Sequence, residues 1–328
     1  MKKILLFEMR SLYRDSMRVY GYLFGADALC GEQDPEHPGV VRGFPQGCGK
    51  TIAVISGMRG NEFTQVFEAS QLVSRLSLLE SQGRITEGCT VLVIPVANPY
   101  SFNSEIRFWP TDDTDINRMF PGYDLGETTQ RVAASLFDVL DGFEFGIHLT
   151  SHYISGNFLP HVSIQDTGWD YTTSAKAFGL SYVRFRKPTQ YDTTTLNYNW
   201  QIWNTKAYSI YGGNDQTVDR DVSDLVVNAI LNFMDQNGIA EFGHHRGYIS
   251  SVITNDDLHV VKSAEAGFFH SEVSVGEFVY KGQRIATILD PYDGHILTEL
   301  TTPVDGTIFF IQSNPLAFAN GQLMLIIK

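Results

Sequence analysis

Between Thr51 and about Gly238, short β-rich runs alternate with longer stretches of helical period, and beyond Gly238 the helical period disappears. Ile52-Ala53-Val54-Ile55-Ser56 reads as a buried strand, after which Phe63, Val66, Phe67, Leu72, Val73, Leu76 and Leu79 recur mostly at helical spacing. Val91-Leu92-Val93-Ile94-Pro95 is a second strand, stopped by proline. The polar entry Glu127-Thr128-Thr129-Gln130 then opens a helix over Val132 to Leu140. Phe145-Gly146-Ile147-His148-Leu149 and Tyr208-Ser209-Ile210-Tyr211 read as two further central strands, and Val222 to Met234 as a helix with one apolar side. Alternation of this kind predicts an α/β sheet with helices on its faces. The last part of the chain shows only short alternating runs separated by glycine turns: Gly247-Tyr248-Ile249-Ser250, Leu258-His259-Val260-Val261 and Gly306-Thr307-Ile308-Phe309-Phe310. A small all-β barrel or sandwich is expected there.

Size and charge narrow the function classes. With 328 residues, 43% of them hydrophobic and 19% charged, the chain can bury a sizeable core and is expected to form two domains. Lys and Arg number 24 against 37 Asp and Glu, a net charge of −13 that repels phosphate backbones and argues against a nucleic-acid partner. No apolar run approaches the roughly 20 residues that span a bilayer, and the opening Met1 to Phe7 is cut short by Glu8 and Arg10. Neither a signal peptide nor a membrane anchor is expected. Three cysteines, Cys30, Cys48 and Cys89, show no metal-binding spacing and fit a reducing cytoplasm; a Cys30–Cys48 pair is the alternative. The Gly- and Pro-rich stretch from Gly31 to Gly47 reads as a surface loop. Gly49-Lys50-Thr51 echoes the end of a phosphate loop, but Phe44 stands where its first glycine would be and the segment precedes a strand, which excludes that reading.

Three clusters could carry chemistry. Gly57-Met58-Arg59-Gly60-Asn61-Glu62 lies between a predicted strand and a predicted helix, where open α/β sheets place their sites. It reads equally as a tight turn with Glu62 at the positive end of the helix dipole. In the second cluster, Asn98-Pro99-Tyr100 and Arg107-Phe108-Trp109-Pro110 precede the run from Asp115 to Gly122, which contains Asn117 and Arg118. Guanidinium groups in such a loop suit bidentate grip of a carboxylate, or they knit the loop to Asp112, Asp113 and Asp115. The third is His148 in an apolar strand with His152 four residues on; were the strand to persist, the two would stand about 13 Å apart. Tyr191 to Trp203, dense in Thr, Asn, Tyr and Trp, reads as a pocket-lining loop or a packed connector.

In this order the residues resemble the succinylglutamate desuccinylase/aspartoacylase branch of the zinc carboxypeptidase-like hydrolases. The Asp115-Ile116-Asn117-Arg118-Met119-Phe120-Pro121-Gly122 run carries most of that resemblance, with the 57–62 loop, Asn98-Pro99, His148, Asn157 to His161 and the 207–213 strand. The resemblance implies a mixed α/β sheet with helices on both faces over residues 1–242 and a biotinyl/lipoyl-like barrel-sandwich over 243–328. No lysine sits between Pro303 and Ile311 to serve as a swinging arm, so that tail would be a structural or oligomerisation domain, or a wall over the pocket. It further implies zinc held by Glu62 and His148, with Arg107, Asn117 and Arg118 on the substrate carboxylate or oxyanion.

The departures from the pattern fall on its reactive positions. Arg59 stands where the first zinc histidine is expected, Tyr211 where the catalytic glutamate is expected, and Gly146 where an aspartate precedes the second histidine. A guanidinium has no lone pair to give a metal, and a phenol with a pKa near 10 is a poor base at neutral pH. His152 is the nearest third ligand in sequence. Two readings follow. One is a metal-dependent deacylase, amidohydrolase or carboxypeptidase-like hydrolase of an N-acyl amino acid or small carboxylated peptide, with Arg59, Arg118 and Tyr211 catalytic. The other is an inactive homologue that binds a carboxylated ligand through Arg59, Arg107 and Arg118, or supports a partner subunit, as a homo- or hetero-oligomer.

Overall fold

The protein was analysed as a computed structural model, which describes residues 1–10, 15–25, 32–33, 41–42, 49–169, 171–243 and 247–328. Cys30 and Cys48, and most of the loop expected over 31–47, lie outside those residues. Within that loop only a two-residue ribbon is described, β3 (Glu32–Gln33) against β4 (Val41–Arg42). Cys89 is a buried free thiol.

The N-terminal apolar run is a strand. β1 (Lys2–Met9) and β2 (Met17–Gly25) form an antiparallel hairpin, and β2 pairs with β6 (Thr90–Ile94). β5 (Thr51–Ile55) lies parallel between β6 and β7 (Phe145–Leu149), and β10 (Lys206–Asn214) continues parallel to β7. Next comes β8 (Gly156–Gln165), antiparallel to β10. The sheet forks at β8: its far end, His161 to Gln165, pairs with β9 (Tyr182–Arg186), and its near end, Gly156 to Phe158, pairs with β17 (Gly306–Gln312).

The period of two along each strand sends alternate side chains to opposite faces. On one face Ile52, Val54, Val91, Ile147, Val162 and Tyr208 pack under α1 (Phe63–Ser81) and α6 (Arg220–Gln236). On the other, Ala53, Ile55, Leu92, Ile94 and Ala207 pack under α3 (Thr128–Leu140) and α5 (Leu196–Ile202). α3 begins with the capping box at Glu127 and Gln130 that its polar entry foreshadows. Helices therefore cover both faces. Two shorter helices, α2 (Pro99–Asn103) and α4 (Thr172–Ala175), sit in the connections. None of the described helices is long and apolar enough to cross a membrane.

The tail is all β. β11 (Ser251–Ile253), β12 (Leu258–Lys262), β14 (Phe278–Val279) and β19 (Gln322–Ile327) extend the large sheet, whereas β13 (Gly267–Ser271), β15 (Arg284–Leu289), β16 (Ile296–Thr301) and β18 (Leu316–Ala317) form a separate four-stranded one. Val261, Ile285, Ile288, Ile308, Leu323 and Ile326 share one core within this tail. One sequence expectation shifts here: Gly247–Ser250 is not a strand, and pairing starts at Ser251, where the ladder to β9 begins. The tail also continues the α/β sheet, because β17 hydrogen-bonds along β8.

Candidate functional site

The loop after β5 turns Glu62 inward. Glu62 occupies the N-cap of α1 but makes no side-chain cap bond. Its Oε1 instead accepts from the Ser151 N–H at 3.0 Å, Ser151 Oγ at 2.9 Å and Thr150 Oγ1 at 3.3 Å. Arg59 lies against it, with Nη1 3.3 Å from Oε1. The same guanidinium donates from Nη1 to the Ser151 carbonyl at 2.9 Å and from Nη2 to Asp115 Oδ2 at 2.9 Å. Asp115 completes the chain by accepting from the Asn117 N–H at 3.0 Å at the start of a single 3-10 turn, Ile116–Arg118. The Arg59 and Glu62 side chains are 5% and 0% exposed, so these charges have left water. Burial alone would lower the Arg59 pKa, but Asp115 and Glu62 outweigh it and hold the group above its ordinary value. Burial would likewise raise Asp115, and Arg59 outweighs that, keeping it below the usual carboxylate range.

Next to this corner opens a cavity of about 740 Å³, lined among others by Arg59, Asn117, Arg118, His148, His152 and Tyr211. Arg107 is not on its wall, contrary to the expectation that Arg59, Arg107 and Arg118 share one pocket. Arg107 stands behind Ser151, donating to its Oγ at 3.3 Å, and burial together with the Arg59 charge brings its pKa down to about 10. Asn117 lines the wall, and its Oδ1 accepts from the Leu196 N–H at 3.1 Å. Arg118 reaches the Tyr191 carbonyl and has no ion pair among the described residues.

The cavity floor is the polar half of a sheet face. In register, His148 on β7 stands beside Ser209 on β10, Ser209 beside Ser163 on β8, and Ser163 beside Arg184 on β9. Four strands at about 4.8 Å spacing carry this row some 14 Å across the sheet. Two residue pairs further along β8 and β10, on the same face, His161 lies opposite Tyr211, their rings stacked at 5.3 Å and 9°. Phe309 and Phe310 of β17 pack at a tilt against His161 and His152, so the tail buttresses the floor. Asn255, also from the tail, accepts from Arg184 Nη2 at 2.9 Å.

The histidines here are neutral bases. His161 Nδ1 must donate to the Leu159 carbonyl at 2.9 Å, and His148 Nδ1 donates to Asn197 Oδ1 at 3.1 Å. Each Nε2 is therefore a lone-pair acceptor, buried and without a partner among the described residues. Burial brings His148 down to about 4 and His161 to about 3; His152, half-buried and near the Arg184 charge, is lowered to about 3. Arg184 Nε is a buried donor without a partner, and burial plus the Arg186 charge take Arg184 to about 10. Arg186, by contrast, is paired to Asp192 at 2.7 Å.

A zinc ion does not fit the residues expected to hold it. Glu62 Oε1 already accepts from four donors, one of them a guanidinium whose charge opposes a cation, and its Oε2 accepts from the Arg59 N–H. Among the described residues, the ligand atoms of Glu62, His148 and His152 do not converge; the one cluster of three potential ligand side chains is Asp290, Asp293 and His295 on the tail surface. β7 ends at Leu149, and the chain then turns, carrying His152 into an aromatic nest with Tyr153 and Phe158. Gly146 has its own explanation. A Cβ there would lie 2.7 Å from the Trp200 ring, so the indole of α5 occupies the space an aspartate would need.

Residues 48–201 match the family model of the succinylglutamate desuccinylase/aspartoacylase catalytic domain. Over those residues the chain is similar to that family. An 88-residue stretch is 31% identical to the N-alpha-acetyl-L-2,4-diaminobutyric acid deacetylase of Halomonas elongata, covering 27% of this chain and only 24% of that protein. The fold is shared with a succinylglutamate desuccinylase/aspartoacylase from Rhodobacter sphaeroides, at a TM-score of 0.75 and 18% identity over 99% of this chain and 93% of that one. It is shared as well with the ectoine utilization protein EutE (DoeB) of Ruegeria pomeroyi in its product-bound form, at 0.72 and 16% over 99% of each chain.

Two lining residues, Arg184 and Arg186, belong to none of the motifs that carry the resemblance. Their signal is the alternation Val183-Arg184-Phe185-Arg186, which puts two arginines on one face of a strand whose other face is core. The 191–203 segment satisfies both of its readings: Trp200 is fully buried, while Thr195 and Asn197 line the cavity.

Proposed function

We propose that this chain binds a small carboxylated molecule in the family's fold and does so without metal-dependent hydrolysis. The observation that carries the reading is the Glu62–Arg59–Asp115 ion chain, which fills with a fixed internal cation the corner where the resemblance places a metal. Arg59 is spoken for by two carboxylates, and Tyr211 brings a phenol where the resemblance places a glutamate. The ligand's anion is met instead by Arg118 and Arg184, which line the same cavity and have no carboxylate partner among the described residues. Asn117 and Ser209 offer hydrogen bonds beside them.

The test has two arms. Protein purified without chelator and then incubated with zinc is expected to retain less than about a tenth of an equivalent of metal, since three converging ligands are what a tight site needs. Retention of a full equivalent overturns the reading. Arg118→Ala is expected to weaken binding of carboxylated ligands about tenfold, the worth of one charge-assisted hydrogen bond. Unchanged affinity would remove Arg118 from the ligand's path.

A further inference from the structure

We infer that the ligand is a polyhydroxylated carboxylate of the sugar-acid type, an inference that rests on the carboxylate-binding reading above and names the rest of the molecule. Three buried acceptors on the cavity floor have no partner among the described residues: His148 Nε2, His161 Nε2 and Gln165 Oε1. All three sit on the same sheet face as Arg184, whose Nε is the matching buried donor without a partner. Buried polar atoms of this kind are satisfied by whatever fills the space, so the occupant must bring several donors and one anion.

Charge decides what kind of donor. Among the described residues the one carboxylate on the cavity wall, Asp192, is committed to Arg186, and Glu62 and Asp115 behind the wall are committed to Arg59. An ammonium would therefore enter a cavity whose charges without an ion pair among the described residues, on Arg118, Arg184 and Lys187, are all positive, and would find no free counter-ion there. Neutral donors remain. An amide N–H supplies one per molecule, whereas a chain or ring of hydroxyls supplies several and replaces the bonds of floor water one for one.

The walls agree with that choice. Of the lining side chains, Phe158 is the only one without a polar group; the others are hydroxyls, amides, imidazoles and charged groups, with the rings of Tyr153, Tyr191 and Tyr211 among them. The carbon surface that the described lining offers comes from aromatic rings and the stems of polar side chains, with no valine, leucine, isoleucine or methionine among them. A sugar acid would meet donors and acceptors on its hydroxyls and ring faces on its C–H surface. At about 740 Å³, the cavity exceeds the needs of a single amino acid and takes a ligand of one or two sugar units.

Calorimetric titration of the full chain with four probes tests this: D-gluconate, its uncharged counterpart D-glucitol, hexanoate, and an N-acetylated amino acid. Gluconate is expected to bind at least about tenfold more tightly than each of the others, the worth of one to two net hydrogen bonds to buried groups. Hexanoate or the N-acetylated amino acid binding as tightly as gluconate overturns the hydroxyl inference and leaves the carboxylate reading standing. Glucitol binding as tightly as gluconate, or no carboxylate binding at all, overturns the carboxylate reading itself. A second readout uses the imidazole 15N resonances: the Nε2 signals of His148 and His161 should move with gluconate and stay in place with hexanoate. Unmoved Nε2 signals with bound gluconate would take the two histidines out of the contact.

Discussion

Two arginine environments border one cavity, and their difference explains more than either does alone. Arg59 is pinned: both of its Nη atoms and its Nε are directed to Glu62, Asp115, Thr150 and Ser151, and its charge is balanced twice. Arg184, half-buried on the other side of the floor, gives one hydrogen bond to a neutral amide and keeps a buried N–H without a partner. The first arrangement stabilises the protein and leaves little for a ligand. The second costs stability in the empty protein, because a charge has been taken from water without a counter-ion, and that cost is recovered when an anion arrives. Internal positive charge thus serves structure in one corner and recognition in the other.

The largest effect should come from breaking the pinned corner. Arg59→Met strands the fully buried Glu62 carboxylate, and removal of one partner from such a pair costs about 3–5 kcal/mol. Urea denaturation should show that loss, while Arg184→Met shows little or none; equal losses in the two variants would erase the distinction. The floor makes its own prediction through pH. His148 and His161 have folded pKa values of about 4 and 3, below the ordinary 6.5, so protons bind the unfolded chain preferentially between those limits. Stability is then full above pH 6.5 and falls as the pH drops, by on the order of 3 kcal/mol for His148 alone by the time its folded pKa is reached. Asp115 and Asp192, both held low, contribute losses only in the more acid range. A stability curve flat from pH 7 to pH 5 would contradict neutral buried histidines.

The legible and illegible parts of the chain divide along the same line. Strands β5, β6 and β7 and helices α1, α3 and α6 announce themselves because both of their sheet faces, or one whole helix stripe, must be apolar. β8 does not, since His161, Ser163 and Gln165 interrupt it where one face is cavity floor; β9 is legible as a strand over 182–186, but the alternation of Arg184 and Arg186 does not say that their face is cavity floor. The motif residues Glu62, Asn117, Arg118 and His148 were nameable because the resemblance supplied their places. Arg107 shows the limit of that route. Its sequence neighbourhood suggested the pocket, but whether its side chain faces the cavity or the back of Ser151 depends on how the 98–118 loop folds over the β5 and β6 ends, which no local pattern encodes.

Gly146 joins the two regions and yields the smallest and sharpest prediction. It lies on β7 two residues before His148, on the same face, beneath the Trp200 indole of α5. That indole also donates to the Leu140 carbonyl at 3.2 Å, tying α5 to the end of α3, and its helix supplies Asn197, which fixes the His148 tautomer. Adding a methyl group at 146 forces ring and strand apart, so Gly146→Ala should cost about 1–3 kcal/mol, the usual range for overpacking a filled core. If the cost arises from the indole alone, it should shrink in a Trp200→Ala background, giving a double-mutant coupling energy of about 1 kcal/mol or more. Simple additivity of the two substitutions would mean that the glycine answers to the backbone of β7 and not to Trp200, and the absence of an acid beside His148 would then need another cause.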